Sequence, residues 1–216
     1  MPEPSARYIE LIEQYRKLHH EGDPAQGLPG AKMFPGIALL PQAPRIAQLV
    51  AETNAQTLLD YGCGKGHQYT VAYDAPDGSH WPSVQQFWGV TSIHCYDPAY
   101  LPYSQKPTGQ FDGVICTDVL EHCPEQDLPW IIETLFIYAK KFLFVNAACY
   151  PAVKKLPNGE NAHSTVKPPT WWGDLFVKIA ARFPHIVGEI QIQQVRQTTK
   201  LQHVDNIVIS NSRFAK

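Results

Sequence analysis

The stretch Thr57-Leu58-Leu59-Asp60-Tyr61-Gly62-Cys63-Gly64-Lys65-Gly66 decides the fold of this 216-residue chain. Its first five residues form a short apolar run, and three glycines at alternate positions follow at once. Because glycine has no side chain, a ligand can approach such a backbone closely. The pattern predicts a strand, a glycine turn and then a helix from about Lys65.

Two familiar glycine loops do not fit this turn. A phosphate-binding loop needs the spacing G-x-x-x-x-G-K-[ST], which the turn lacks. A dinucleotide-binding loop needs G-x-G-x-x-G, and His67 occupies the position of its last glycine. What remains is an acid, one residue and then G-x-G-x-G. A neutral loop that carries an acid suits a ligand with a cationic head and no phosphate.

Strand-like and helical patterns alternate after the turn. Apolar runs at Ser92–Tyr96, 113–117 and 142–146 predict strands, and a helical face over 127–140 separates the last two. This alternation predicts an α/β protein with a mostly parallel sheet covered by helices on both sides.

The end of the chain has a different pattern. A helix near 170–182 precedes two strand-like runs, 187–195 and 204–210, which have only a polar stretch between them. Two neighbouring strands without a helix between them predict an antiparallel final strand.

The segment before the glycine turn is predicted to be mainly helix and loop. Apolar residues between Ser5 and His20 share one helical face, with Ser5 as the cap. Residues 22–36 are rich in glycine and proline and predict a loop, and a short helix follows Pro44. The turn-forming stretch 74–83 is interpreted as an insertion.

Composition narrows the class of partner. The chain has 18 basic and 20 acidic residues and a formal net charge of −2. This balance argues against a general binder of nucleic acids or acidic membranes, and no apolar run reaches membrane-spanning length. Five cysteines, an odd number without a CxxC pair, predict reduced thiols in a cytoplasmic protein.

Four segments, taken in order, resemble class I S-adenosylmethionine-dependent methyltransferases. They are the glycine turn 60–66, the strand end 93–99, the strand and turn 111–122, and the paired closing strands. The resemblance implies a Rossmann-like doubly wound sheet over residues 53–216, with residues 1–52 as a helical lid. It also implies S-adenosyl-L-methionine (SAM) as the cosubstrate.

The resemblance implies the following roles in cofactor binding. Gly62 and Gly64 let the main chain pass beside the methionine part, Asp60 orients the loop or the ammonium group, and Asp97 accepts both ribose hydroxyls. Asp97 lies 31 residues beyond Gly66, a long step that the insertion absorbs. The full predicted set is Asp60, Tyr61, Gly62, Cys63, Gly64, Gly66, Asp97, Pro98, Thr117, Asp118 and Val119.

Attack on a sulfonium is a displacement, for which the enzyme mainly holds the nucleophile in line and excludes water. Aromatic faces favour a sulfonium. Core or surface packing explains the aromatic candidates about as well, namely Tyr8, Tyr15, Trp171 and Trp172. The candidate catalytic side chains are Tyr15, Asp118, Asn146, His163 and Trp171.

The polar loop 155–165 predicts contacts with an acceptor substrate. Asn158, Asn161 and His163 are candidates to orient the acceptor, and His163 is a candidate to remove a proton. A solvated turn explains the same residues about as well, because Asn-Gly pairs favour turns.

The motif Asp118-x-x-Glu121-His122 resembles one that binds a divalent ion in quinone-pathway O-methyltransferases, so a metal site is an alternative interpretation. The favoured interpretation is a buried histidine with a backbone partner and no metal. His19-His20 is interpreted as a solvated helix end, and Cys123 as an inert thiol.

Three functions remain. The first is a methyltransferase that acts on a small molecule, without nucleic acid or membrane partners, as a monomer or homodimer. The second is a SAM cyclase, in which the amino group of SAM attacks its own γ-carbon to give azetidine-2-carboxylate and methylthioadenosine. The third is a non-catalytic cofactor-binding module.

Overall fold

The computed structural model describes residues 3–197 and 202–211. Residues 1–2 of the predicted lid segment and residues 198–201 and 212–216 of the predicted methyltransferase-like domain lie outside the described residues. In the described part of the chain, no helix is both long enough and apolar enough to cross a membrane.

A six-stranded sheet forms the centre of the molecule. Its strands are β1 (Thr57–Tyr61), β2 (Ser92–Tyr96), β3 (Phe111–Thr117), β4 (Ala139–Ala148), β5 (Val187–Gln197) and β6 (Gln202–Ser210). The order across the sheet is β6-β5-β4-β3-β1-β2. Neighbouring strands are parallel except β5 and β6, which are antiparallel. The prediction of a mostly parallel Rossmann-like sheet with an antiparallel final strand is confirmed.

Helices cover both faces of the sheet. They are α1 (Ala6–Glu21), α2 (Ala43–Thr53), α3 (Val84–Trp88), α4 (Leu128–Tyr138) and α5 (Pro169–Ala180). Alternate residues of each strand point to opposite faces. Leu143 and Val145 of β4 therefore join one core cluster with α4 and α5, whereas Phe142 and Phe144 join another with α2 and α3.

The helix predicted to begin at about Lys65 is absent. Residues His67–Tyr69 form a single 3-10 turn, and two short strands, Tyr73–Asp74 and His80–Trp81, follow as a small hairpin before α3. Gln68 and Tyr69 point inward to bond with Asp60, and the two prolines and the glycine of the stretch 74–83 prevent a helix from continuing beyond them. The 3-10 turn and the hairpin therefore occupy the place of a long helix between β1 and β2, and only the short helix α3 remains.

The fourth helix is also shorter than predicted. It spans Leu128–Tyr138 rather than 127–140, and β4 begins directly at Ala139, three residues before the predicted strand. Ala139 has extended dihedral angles, so the helix ends before it. Ala139 pairs with Phe111 of β3 and does not continue the helix.

The strand order places a crevice above β1. The chain runs from β1 to β2 on one side and returns to β3 on the other, so the two connections diverge at the carboxyl ends of β1 and β3. Ligands of open α/β sheets bind at such a switch point.

Helix α1 covers this crevice and is anchored at its start. Ser5 caps it as predicted, since its Oγ accepts a hydrogen bond from Tyr8 N at 3.1 Å. The backbone N–H and the hydroxyl of Ser5 also donate to the Asp127 carboxylate, at 3.0 and 2.5 Å. Asp127 immediately precedes α4, so this contact joins α1 to the sheet-packing helix.

Candidate functional site

A cavity of about 480 Å³ lies at the carboxyl ends of β1, β2 and β3. This volume is typical of small-molecule sites, which span about 300–1,000 Å³. Most of the predicted site residues line it: Tyr15, Asp60, Tyr61, Gly62, Cys63, Gly64, Asp97, Pro98, Thr117, Asp118, Val119 and His163.

The glycine turn presents bare main chain to the cavity. Gly62 and Gly64 have φ angles of 86° and 59°, in the left-handed region that other residues avoid. A Cβ atom on Gly64 would lie 2.3 Å from Phe34 O, and one on Gly62 would lie 2.3 Å from a Val119 methyl carbon. Neither position has room for a side chain, so both conformation and space require glycine.

Asp97 joins this turn to the end of β2. Its Oδ2 accepts a hydrogen bond from Gly64 N at 3.0 Å, and its Oδ1 accepts one from Ala99 N at 2.9 Å. Burial raises the pKa of Asp97 to about 6, although the backbone donors oppose this change. Each oxygen keeps acceptor capacity for a ligand after its single backbone bond.

Asp60 is held from one side only. Tyr69 Oη and Gln68 Nε2 both donate to its Oδ2, at 2.7 and 3.0 Å. Burial raises the pKa of Asp60 to about 7, against the effect of these two donors. No hydrogen bond from a described residue reaches Oδ1, and Gln68 Oε1 is buried without a hydrogen-bond partner. Both residues line the cavity, but Gln68 Oε1 is enclosed beside Gly36, so Asp60 Oδ1 is the acceptor left for a cationic ligand group.

Asp118 follows the end of β3 in an unusual conformation. Its φ angle is 59°, although it is not glycine, and its N–H donates to Asn146 O at 3.2 Å. Backbone in sparsely populated regions is often found at functional sites. The Asn146 side chain donates to Gln191 O instead and does not line the cavity, so this residue supports Asp118 through its main chain.

One face of α1 closes the cavity. Tyr8, Leu11, Tyr15 and His19 lie three or four residues apart and all line it. The interpretation of His19 as a solvated helix end is wrong. His19 is buried, stacks on Tyr100 with 5.0 Å between ring centroids and contacts Phe34 at 4.8 Å. His20 is exposed, as predicted.

Two histidines, His122 and His163, line a further part of the cavity. His122 Nδ1 lies 2.9 Å from Ala162 O, which confirms the predicted backbone partner. Tyr15 Oη donates to the same carbonyl at 2.7 Å and lies 2.7 Å from His122 Nδ1. His163 Nδ1 contacts the backbone carbonyl of Tyr150. The two imidazole rings are 4.9 Å apart between centroids.

Besides Asn146, four of the predicted site residues do not line the cavity. Asn161 bonds within its own loop, to the N–H and C=O of Ala152 and to His163 N, at 2.8–2.9 Å. Asn158 accepts only from Glu160 N in that loop. Trp171 packs edge-on against Trp172 at the start of α5, and Gly66 lies on the outer side of the glycine turn beside Tyr103. Asn161 thus sets the course of the loop that presents His163.

Sequence reasoning missed a second group of lining residues. The glycine- and proline-rich loop contributes Met33 and Phe34, whose apolar side chains within a loop were the available signal. Two cations, Lys32 and Lys154, also line the cavity, and the Lys154 ammonium lies 4.2 Å from the Phe34 ring centroid. Burial lowers the pKa of Lys154. No pattern in the sequence connects these lysines to the site.

No protein-family model matches this chain, and no curated protein matches it significantly. Among solved structures, it is similar to the magnesium protoporphyrin IX methyltransferase ChlM from Synechocystis PCC 6803. With bound SAM, that structure has 15% identity and a TM-score of 0.45 over 92% of this chain and 89% of ChlM. With bound SAH, the values are 14% and 0.47 over 94% of each chain. A DhpI–SAH complex has 12% identity and a TM-score of 0.36 over 94% of this chain and 81% of that chain. Similarity at this level assigns neither a function nor a substrate to this chain.

Proposed function

We infer that this chain is a SAM-dependent enzyme that transfers a methyl group to a small-molecule acceptor. The observation that carries this proposal is the link between Gly64 N–H and the Asp97 carboxylate at 3.0 Å. It places a bare stretch of main chain and a buried acid from the neighbouring strand on one wall of a ligand-sized cavity. The sequence resemblance to class I methyltransferases supports the same ligand.

In this proposal, each part of the cofactor meets a group that suits its chemistry. The ribose hydroxyls donate to Asp97, whose two oxygens each keep a free lone pair. The methionine part runs beside Gly62 and Gly64, and its ammonium donates to Asp60 Oδ1. The aromatic rings of Tyr15 and Phe34, 5.7 Å apart, exclude water and favour the positive sulfonium.

The reaction is an in-line displacement. The acceptor's nucleophilic atom forms a bond to the methyl carbon, the carbon–sulfur bond breaks and its electron pair stays on sulfur. The acceptor's proton leaves toward the wall formed by Asp118, His122 and His163. Residues 1–52 act as the lid, since the apolar face of α1 closes the cavity and Arg7 pairs with Glu160 of the opposite loop.

Binding and turnover test the proposal separately. Calorimetry with SAM and S-adenosylhomocysteine should show one site per chain, and Asp97→Asn should weaken it. Incubation with SAM and a panel of small acceptors should then release S-adenosylhomocysteine. Failure of the wild-type chain to bind either nucleoside would overturn the proposal, whereas binding without any turnover would favour the non-catalytic module.

One observation favours the cyclase as a second candidate. Asp60 faces the cavity with a pKa raised to about 7, so its carboxylate can take a proton from the ammonium of SAM near neutral pH. The freed amine would bond to the γ-carbon while the γ-carbon–sulfur bond breaks, with its electron pair on sulfur. Mass spectrometry after incubation with SAM alone separates the candidates, because only cyclisation gives methylthioadenosine and azetidine-2-carboxylate without an acceptor.

A further inference from the structure

Three metal-ligating side chains that line the cavity lie close to one another. Asp118 follows β3, His122 belongs to the next 3-10 turn, and His163 lies on the loop after β4. One ligand atom from each lies within 4.8 Å of the other two. This set differs from the Asp118, Glu121 and His122 set that the sequence suggests.

Both histidines are oriented by hydrogen bonds to backbone carbonyls. A carbonyl oxygen only accepts, so Nδ1 of His122 carries the proton that it donates to Ala162 O, and Nδ1 of His163 donates to Tyr150 O. The lone pair of each neutral ring is then on Nε2. Metal-binding histidines are commonly oriented this way, with the other nitrogen bonded to a carbonyl or carboxylate.

Asp118 supplies the third donor. Its side chain is exposed to the cavity, and its backbone is held in the left-handed region by the bond to Asn146 O. Glu121 is not available as a ligand. It is fully buried, its Oε1 accepts from Ala148 N at 3.0 Å, and it does not line the cavity.

We propose that Asp118, His122 and His163 bind a divalent transition-metal ion, with the remaining coordination positions open to the cavity. Two imidazoles and one carboxylate suit Zn²⁺, Fe²⁺, Co²⁺ or Mn²⁺, whereas Mg²⁺ and Ca²⁺ prefer oxygen ligands alone. Three protein ligands with an open position are typical of catalytic rather than structural sites.

The ligand atoms lie close to the spacing that a metal ion needs. Bonds of about 2.0–2.2 Å hold tetrahedral ligand atoms about 3.3 Å apart, and the three atoms in this structure lie within 4.8 Å of one another. Any closure on binding therefore shortens these separations by at most about 1.5 Å. His163 lies on a loop, where small shifts are tolerated best.

The role of the ion rests on the proposed function. A metal at this wall would bind an acceptor through an oxygen donor, such as a hydroxyl or carboxylate, and lower the pKa of a bound hydroxyl. When the ion is bound, both imidazoles are occupied as ligands, so the proton leaves through the open side of the cavity and not to a histidine. Lys32 and Lys154 line the same cavity and favour an anionic acceptor.

The site is tested with the full chain after treatment with a chelator and dialysis. Titration with Co²⁺, followed by visible absorption and calorimetry, should show one ion per chain. His163→Ala and Asp118→Asn should each lower the Co²⁺ affinity at least about 100-fold. His80→Ala is the matched control and should change nothing, since His80 forms an exposed pair with Asp74 outside the cavity.

Two outcomes would overturn the proposal: no Co²⁺ binding by the wild-type chain, or binding that both cavity variants leave unchanged. X-ray absorption of wild-type Co²⁺ protein gives a readout that does not depend on how the variants fold, and it should count two imidazole ligands. SAM binding is measured on the same metal-free protein, so failure of the cofactor site and failure of the metal site are distinguished.

The open coordination positions are tested with acetohydroxamate, a bidentate oxygen ligand. Its addition should change the visible spectrum of the Co²⁺ protein. An unchanged spectrum would show a closed structural site and would overturn the role in acceptor binding.

Discussion

The two walls of the cavity are built in different ways. The first wall consists of the glycine turn and Asp97, which follow the ends of two adjacent parallel strands. Gly64 N donates to the Asp97 carboxylate, and Gly62 N donates to the backbone carbonyl of Tyr96. The second wall consists of Asp118, His122 and His163, and its loop segment is held by side chains of α1 and by carbonyls. Strand register thus determines the first wall and the position of Asp118, whereas packing of α1 against the loop after β4 brings His163 to the second wall.

The largest effect should come from adding a side chain to the first wall. Gly64→Val would force a β-branched residue into a left-handed conformation and against Phe34 O. We expect a loss of about 3 kcal/mol in the free energy of unfolding, together with loss of SAM binding. Urea denaturation and calorimetry measure the two quantities.

Gly78→Ala is the control for Gly64→Val. Gly78 also has a positive φ angle, 85°, but no atom lies within 4 Å of its added Cβ. The free energy of unfolding of this variant should fall by about 1 kcal/mol because of the backbone conformation alone, and the variant should still bind SAM. Equal losses in the two variants would mean that the close approach of the main chain is unimportant.

Removal of the charge from the first wall should have the next largest effect. Asp97→Asn keeps the size of the side chain but removes its charge, and the amide nitrogen cannot accept one of the two backbone hydrogen bonds that the carboxylate accepts. SAM affinity should therefore fall by at least about 2 kcal/mol, or about 30-fold. Asp77→Asn, in an exposed turn, is the control and should not affect binding. If Asp97→Asn binds SAM as tightly as the wild type, the ribose lies elsewhere.

The pH dependence of SAM binding should come from the same wall. The pKa of Asp97 in the free protein is about 6, and SAM favours the ionised carboxylate. Affinity should therefore fall as the pH decreases through about 6, by up to about tenfold per pH unit. His19 nearby has its pKa lowered by burial to about 4, so it stays neutral in this window.

Asp60 titrates at a neighbouring pH and must be separated from Asp97. Its pKa is about 7, so its protonation weakens contact with the ammonium at a higher pH. In Asp97→Asn, the step near pH 6 should disappear and the step near pH 7 should remain. Both groups change charge between pH 5 and 8, so SAM affinity is measured by calorimetry across this range. The assignment would be contradicted if the variant and the wild type showed the same dependence of SAM affinity on pH.

The smallest effect should come from the second wall. Tyr15→Phe removes the hydroxyl that bonds to Ala162 O and contacts His122, which should lower the free energy of unfolding by about 1 kcal/mol. SAM affinity should stay unchanged while turnover falls. Tyr138→Phe is the control, since its hydroxyl makes one long bond of 3.4 Å to Pro107 O. A loss of SAM affinity in Tyr15→Phe would show that the two walls are not independent.

Much of the fold was predictable, because strand and helix patterns alternate and each apolar run is short. The errors occurred where tertiary contacts outweigh local pattern. The helix expected from Lys65 gives way to a turn because Gln68 and Tyr69 point inward to bond with Asp60. His19 lies at a helix end, and only its burial against Phe34 and Tyr100 brings it into the cavity.

By itself, the sequence determined the doubly wound sheet, the glycine turn and the acid at the end of β2. Short local patterns of apolar residues, glycines and turn formers indicate these features, because each strand and turn involves only a few consecutive residues. Only the tertiary structure decided which polar side chains meet at the second wall. His122 and His163 are far apart in the chain, and the carbonyls that orient their rings belong to Ala162 and Tyr150, whose side chains carry no signal of that role.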